Sequence, residues 1–567
     1  MAVFEDTIGV DNYWFGTEFS DTMAGAAGDD TIYADGGADF VEGGAGNDVI
    51  QGGTSGDLLY GHSIAVNGID DISLDGRDSI DGGRGDDTIY GGQNHDVLYG
   101  GDGNDFINGG RHNDTLYGGD GDDTLQGAEG DDYFVDDEFS SRDVYQGGSG
   151  TDTLGLRGYS FSFLQLDAAA SVEILDFDSY SLNGSTSSNT FDLSGVTTFL
   201  NESNISLGDG ADSFLGSVVG ELVYGDSGND TLNGGGGNDT LYGGIGVDVL
   251  IGGDGDDVFV NEDYDTEDSF QGSAGTDTLR LGGYSFAELI LDAAASVEIL
   301  DFDSYSLNGS TSSNTFDLSG VTTFLNESNI SLGDGADSFL GSVVGELVYG
   351  DSGNDTLNGG GGVDTLIGGG GVDTLIGGEG DDVLVGGTSV DDLRDVVYGG
   401  LGNDSIDGGY GNDELRGDAG ADTILGGFGA DTVIGGDGDD QLTAQAYGDE
   451  IFGGAGADFI NGGFGHDRVN GGADADRFFH LGVADHGSDW IQDYTAADGD
   501  VLQFGQAGDI SQFQVNFTET ASAGVAGVEE AFIIYRPTGQ ILWALVDGDA
   551  QSSINLLVGG VSYDLLA

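Results

Sequence analysis

Residues 82–126 read GGRGDDTIY, GGQNHDVLY, GGDGNDFIN, GGRHNDTLY and GGDGDDTLQ, consecutive nine-residue lines that superimpose without a gap. Working outward, Asp78, Asp87, Asp96, Asp105, Asp114, Asp123 and Asp132 form a comb with a spacing of nine. Two residues beyond each tooth stands an apolar side chain: Ile80, Ile89, Leu98, Ile107, Leu116, Leu125 and Phe134. A second comb runs through Asp395, Asp404, Asp413, Asp422, Asp431, Asp440, Asp449, Asp458, Asp467 and Asp476 with the same apolar partners. Shorter combs are Asp30, Asp39, Asp48 and Asp57, then Asp230, Asp239, Asp248 and Asp257, then Asp355, Asp364, Asp373 and Asp382. A glycine-rich acidic linker would show no phase between aspartate and aliphatic residue, so the combs specify a repeating fold.

The unit is G-G-x-G-x-D-x-U-x, with U apolar. Its x-U-x half reads as a short strand with U pointing in and its neighbours out. The glycines let the other half take positive φ and bring carbonyl oxygens close together. Stacked aspartates repel one another, so a counter-charge is required. Carboxylates and carbonyls together are the oxygen donors that a hard divalent cation takes.

These lines resemble the RTX (repeats-in-toxin) family of haemolysin-type calcium-binding nonapeptide repeats, over most of residues 20–480. The resemblance implies an all-β fold, a right-handed parallel β-roll or β-solenoid in which two nonapeptides make one turn. It implies Ca2+ at multiple sites between the loops of successive turns. On that resemblance the metal ligands are the comb aspartates named above, except Asp449, together with Asp152, Asp212, Asp277 and Asp337. Asp449 is left out because its loop, AQAYGD (444–449), lacks the leading glycines.

Other lines depart from the pattern more mildly. Ser55, Asn94, His112 and Asp474 stand where the fourth-position glycine is expected. Asn, Asp and His tolerate left-handed backbone better than most residues, so these loops should survive. The step from Asp57 to Asp78 is 21 residues, three more than two repeats, and that from Asp382 to Asp395 is 13, four more than one. Both read as loops bulging from the roll, at GHSIAVNGIDD and TSVDD.

A longer period overlays the nonapeptide. Residues 166–237 recur verbatim at 291–362, an offset of 125. Each copy carries a stretch outside the repeat pattern, in which Val172, Ile174 and Leu175, then Phe191 and Leu193, then Val196, Phe199 and Leu200 read as short strands between Gly/Ser/Asn turns. Continuation of the solenoid with irregular turns is expected, and a separately folded binding domain is the alternative. The organisation is then an N-terminal cap (1–24), roll (25–135), first insert (136–224), roll (225–260), second insert (261–349), roll (350–479), and a C-terminal cap with a secretion signal (480–567). In the last segment AFIIY (531–535), RPTG and QILWALV (540–546) read as a β-hairpin. A cap is needed because the end of a solenoid exposes core and unpaired strands.

Composition bounds the function. The 567 residues include 112 glycines, one proline, no cysteine, 104 acids and 11 bases, for a formal charge of −93. Every base is arginine. This excludes a nucleic-acid footprint, argues against docking on anionic lipid, and leaves neither disulfide nor thiolate chemistry. No apolar run is long enough to span a membrane. The first twenty residues carry acids and no base, unlike a conventional signal peptide. None of the six histidines is followed by glutamate, and no GxSxG or phosphate-binding loop occurs. His480 and His486 with Asp485 could be imagined as a site, but read as surface polar groups of the cap. The expectation is a secreted, non-catalytic calcium binder, with calcium and a type I secretion machinery as partners and the cell surface as a further candidate. The alternatives are a cell-surface array or adhesin component, and an enzyme with an unrecognised site in the inserts.

Overall fold

In this computed structural model the described residues are 3–5, 11–64, 75–136, 142–157, 161–177, 182–201, 204–261, 268–282, 286, 288–303, 307–326, 329–390, 393–483, 486–520 and 523–567. The chain divides into two compact units, Met1–Arg280 and Leu281–Ala567.

The first unit begins as a parallel β-solenoid with two strands per turn. Odd strands, from Val3–Glu5 through Thr22–Ala27 and Phe40–Ala45 to Val144–Ser149, form an eight-stranded sheet. The strands between them, from Tyr13–Thr17 and Thr31–Asp35 onward, together with Thr198–Leu200, form a ten-stranded one. Registers advance by 18 residues, two repeats: Leu98 lies opposite Leu116, and Ile107 opposite Leu125. The T-I-Y and T-L-Y triplets alternate as strands should, with only the middle residue fully buried. The core is therefore two facing stacks. Ile50, Ile80, Leu98, Leu116, Phe134 and Leu154 make one, and Val41, Leu59, Ile89, Ile107 and Leu125 make the other. Burying one such side chain stabilises by roughly 1.5–3 kcal/mol, so each rung adds a similar small increment.

The insert keeps the ladder but changes the cross-section. Phe163–Gln165, Ile174–Asp176 and Leu182–Asn183 make one three-sided turn, and Thr190–Asp192, Thr198–Leu200 and Ile205–Ser206 the next. Each strand pairs in parallel with its successor: Phe163 with Thr190, Ile174 with Thr198, Leu182 with Ile205. The two-sided roll then resumes at Ser213–Leu215 against Thr231–Gly236. The insert is thus a stretch of the solenoid itself.

In the second unit the other copy repeats these registers, with Glu288 opposite Thr315, Ile299 opposite Thr323 and Leu307 opposite Ile330. A fourteen-stranded and a thirteen-stranded sheet then carry the roll onward. Their inner stacks are Leu357, Leu375, Val397, Leu415, Val433, Ile451, Val469 and, facing them, Leu366, Leu384, Ile406, Ile424, Leu442, Ile460, Phe478. Both sheets end antiparallel. Gln540–Leu545 continues the first sheet beside Asp489–Ile491 and folds back on Glu530–Tyr535, as the hairpin reading expected; Phe513–Thr518 follows. Asn555–Val558 continues the second beside Val501–Phe504 and folds back on Val561–Asp564.

The two bulges are resolved by register. The N–H of Asp48 donates to Asp78, 30 residues on, so Asp57 and Asp78 occupy consecutive half-turns and the excursion holds twelve residues. The reading of that step as two repeats plus three is corrected, because a whole half-turn is absent there. Much of GHSIAVNGIDD (65–71) lies outside the described residues. The N–H of Asp373 donates to Asp395, 22 residues on, which matches the four-residue excess read at TSVDD; Asp391 and Asp392 lie outside the described residues.

Candidate cation-binding edges

The GGxGxD loops fall alternately on the two edges of each turn, and Asp96 shows what each aspartate does. Its N–H donates to Oδ1 of Asp114, one turn on, at 2.8 Å, while its own Oδ1 accepts from the N–H of Asp78 at 2.8 Å. Its carbonyl accepts from the N–H of Thr115 at 2.9 Å. The other edge repeats this from Asp87 to Asp105 and from Asp105 to Asp123, at 2.7 and 2.6 Å. In the second unit one ladder runs through Asp404, Asp422, Asp440, Asp458 and Asp476 and the other through Asp395, Asp413, Asp431, Asp449 and Asp467. Every aspartate read from the sequence as a ligand is buried, Asp152, Asp212, Asp277 and Asp337 included.

The second carboxylate oxygen behaves differently. At Asp78, Asp87, Asp96, Asp105, Asp114 and Asp132, and at Asp404, Asp422, Asp431, Asp440 and Asp458, Oδ2 is buried without a hydrogen-bond donor. Such an atom is costly unless something compensates it. It points across the first glycine of its own loop. A Cβ added to Gly91 would lie 2.6 Å from Asp96 Oδ2 and 2.6 Å from the carbonyl oxygen of Gly109, one turn on. On Gly52 it would lie 2.7 Å from Asp57 Oδ2 and 2.6 Å from the Gly82 carbonyl; on Gly368, 2.6 Å from Asp373 Oδ2 and 2.7 Å from the Gly386 carbonyl. The first glycine is therefore required for space. The second and fourth are favoured by conformation, as at Gly101 (φ 113°) and Gly103 (φ 143°).

A carboxyl oxygen and a carbonyl oxygen thus face one cradle, and the donor set fits a hard cation such as calcium. Among the described residues no three acidic or histidine side chains converge on one point. A cation held there would draw its charge from the Oδ2 atoms and the rest of its oxygens from backbone carbonyls of successive loops. Burial, reinforced by neighbouring aspartates, pushes Asp96 up to about 7 and Asp78 and Asp114 up to about 9, against the opposing effect of the N–H each accepts. In the second unit burial takes Asp440 up to about 7 and Asp449 up to about 8. These carboxyls resist ionisation in this fold until a positive charge joins them.

The mild departures keep their conformation: Ser55, Asn94, His112 and Asp474 all hold positive φ, between 74° and 88°. Asp449 is as buried as its neighbours and holds the same ladder, accepting from Asp431 at 2.8 Å and donating to Asp467 at 3.0 Å. Its cradle differs, because Ala444 takes the register position of the first glycine, opposite Gly426, and brings a methyl group there.

Several ladder members escaped the sequence reading. Asn12 and Asp21 extend the first comb backward, donating to Asp30 and Asp39 at 2.7 and 2.6 Å; counting back by nine from Asp30 would have found them. Asp143 and Asp268 receive the N–H groups of Asp123 and Asp248 at a spacing of 20, and Asp500 that of Asp476 at 24, so loop lengthening hides them. Glu221 and Glu346 occupy aspartate places, their N–H groups donating to Asp239 and Asp364 at 2.7 Å. Burial and the adjoining aspartate raise both glutamates. A second ladder also escaped: the residue before the comb aspartate, as Asp86, Asn104 or Asn403, accepts the corresponding N–H of the next turn at 2.9 Å.

One reading is overturned. His480 and His486 are buried, with ring centroids 4.5 Å apart, and His480 packs edge-on to Trp543. They are core of the cap because the antiparallel hairpin folds over them. Asp485 lies outside the described residues.

A model of the RTX calcium-binding nonapeptide repeat matches residues 15–50, 42–63, 72–107, 108–135, 224–259, 349–384, 367–394, 390–424, 407–442 and 443–478. The chain belongs to the RTX repeat family. The matches fall on the two-sided turns of this RTX protein and stop at its three-sided inserts. That family is one of calcium binders, so the cradles imply calcium here. No curated protein matches the chain.

Proposed function

We propose that this RTX chain is a non-catalytic calcium binder, exported unfolded and folded outside the cell as calcium fills its edges. The observation that carries the reading is the buried Asp Oδ2 set against a glycine carbonyl in turn after turn. Calcium would supply the charge; the aspartates and loop carbonyls would hold it, and the Oδ1 ladder would fix their spacing. Where free calcium is micromolar or lower, sites of about 10⁻⁴–10⁻³ M affinity stay empty, and a chain of −93 charge repels itself. Such a chain, without cysteine, suits threading through a channel. Folding outside would then oppose return.

The reading assigns export to a type I machinery that recognises the C-terminal residues from about Val501. Deleting residues 501–567 should leave the protein inside cells, and fusing that segment to an unfolded passenger should carry the passenger out. Undiminished secretion of the truncated chain would refute a C-terminal signal. For the calcium arm, circular dichroism should show β-structure at millimolar calcium and its loss in EDTA. Magnesium should substitute poorly, being smaller and reluctant to dehydrate.

A further inference from the structure

In a two-sided turn the cradle is built from three places, such as Gly91, Asp96 and Gly109. In the first insert those places are Gly184, Asn189 and Leu207. Asn189 is buried and donates its own backbone N–H to Asp212 Oδ1 at 2.6 Å, as a comb aspartate would. Its side chain does what no aspartate can. Nδ2 donates to the Leu207 carbonyl at 2.7 Å and to Asp212 Oδ1 at 3.0 Å. Oδ1 accepts from the Ser185 N–H at 3.1 Å and hydroxyl at 2.6 Å, which fixes the orientation of the amide. The second copy repeats every contact: Asn314 donates to the Leu332 carbonyl at 2.8 Å and to Asp337 at 2.9 Å, and accepts from Ser310.

We propose that the carboxamides of Asn189 and Asn314 stand in the cation's place, so that the three-sided turns close without metal while the two-sided turns require it. The inference rests on the calcium reading of the comb aspartates. The amide gives the Leu207 carbonyl an N–H donor, which is what the cradle otherwise lacks, and its second N–H goes to the ladder oxygen Oδ1 of Asp212, whose Oδ2 has no donor. Asp167, Asp176 and Asp192 in the three-sided turns point the same way, because each has donors of its own. Asp167 accepts from the Ala169 N–H at 2.8 Å, Asp192 from the Ser194 N–H and hydroxyl at 3.0 and 2.6 Å, and Asp176 from Asn201 at 2.7 Å. The chain then alternates metal-dependent and self-sufficient segments, with the inserts as folded stations from which the ladders extend once calcium arrives.

Hydrogen exchange read by mass spectrometry on the full chain tests this. Peptides from 166–206 and 291–331 are identical in sequence and report both copies together. In chelator they should stay protected at least tenfold over peptides from 82–132 and 395–467, and calcium should slow the roll peptides alone. Insert peptides that exchange as fast as roll peptides in chelator, with calcium protecting both, overturn the inference and leave the calcium reading intact. Roll peptides that ignore calcium overturn both. The double variant Asn189→Asp, Asn314→Asp should lose insert protection in chelator and regain it in calcium. Its calcium stoichiometry, measured by competition with a chromophoric chelator, should exceed that of the wild type; an unchanged number counts against the proposal even if the variant folds poorly.

Discussion

Within the second unit the roll and the cap share one ladder and are closed in different ways. In the roll from Val396 to His480, each half-turn buries a carboxylate, and the outer oxygen has no donor at Asp404, Asp422, Asp431, Asp440 and Asp458. In the cap, Tyr494 donates to the Asp500 carbonyl at 3.2 Å and accepts from Asn555 at 2.7 Å, while Glu530 accepts from Thr520 at 2.6 Å. Its core is aromatic: Phe504 lies 5.1 Å from Phe513 and 4.9 Å from Tyr535, and Trp543 is fully buried. The roll is thus closed over a stack of carboxylates and the cap over an aromatic core, although the cap too buries polar atoms without partners, Glu530 Oε1 and Trp543 Nε1 among them. The stacked carboxylates, more than strand pairing, decide what the roll needs from its surroundings.

The largest effect should come from chelation. Two of the three tryptophans, Trp490 and Trp543, lie in the cap, so emission reports the cap while circular dichroism reports mainly the roll. In a Trp14→Phe background, EDTA should remove most β-signal while cap emission shifts little; a joint loss would break the comparison. Next, Trp543→Ala should destabilise the cap by roughly 3–5 kcal/mol, as large-to-small core changes do, and leave the calcium response of the roll in place. Urea melts followed by emission and by circular dichroism would separate the two.

Acid should pull the regions in opposite directions. Asp96 and Asp440 are raised by burial from 3.8 to about 7, so what they contribute to the metal-free fold is fully present below pH 3.8 and lost as pH rises through about 7. His480 is lowered by burial, and by its neighbour His486, from 6.5 to about 4; its contribution is present above 6.5 and lost as pH falls through about 4. Calcium-free protein taken from pH 8 to 4.5 should gain β-signal while its cap loosens, and His480→Gln should blunt only the second change. Loss of both on acidification would refute the assignment. The smallest effect separates sites. Asp422→Ala and Asp431→Ala should raise the calcium midpoint more than Asp449→Ala, whose cradle already holds the Ala444 methyl. Equal midpoints would mean that the Oδ1 ladder alone matters.

The roll was legible because its repeat is strict: aspartate and inward residue keep one phase, and the 18-residue register follows from it. The hairpin at 531–546 was legible from turn chemistry. Legibility failed where loops change length, since a ladder defined by hydrogen bonds tolerates steps of 20, 22, 24 or 30 residues that a comb does not. Hence Asp143, Asp268 and Asp500 were missed, and the step to Asp78 was misassigned. The three-sided insert was read as irregular strands because its turns have no repeated unit to count. Asn189 was invisible for another reason: its role appears only when its amide is set beside the Leu207 carbonyl, 18 residues away.

The verbatim duplication has a consequence for heredity. Thr231–Gly236 and Thr356–Gly361 are the same residues in the same kind of strand, each meeting its successor 18 residues on, at Thr231 with Val249 and Thr356 with Thr374. If Gly237 were joined directly to Val363, Thr231–Gly236 would meet Thr374–Glu379 at the offset that Thr356–Gly361 meets it now. Unequal recombination between the two gene segments would therefore remove or add 125 residues without breaking a rung. Variants differing by whole units of that size should therefore fold alike.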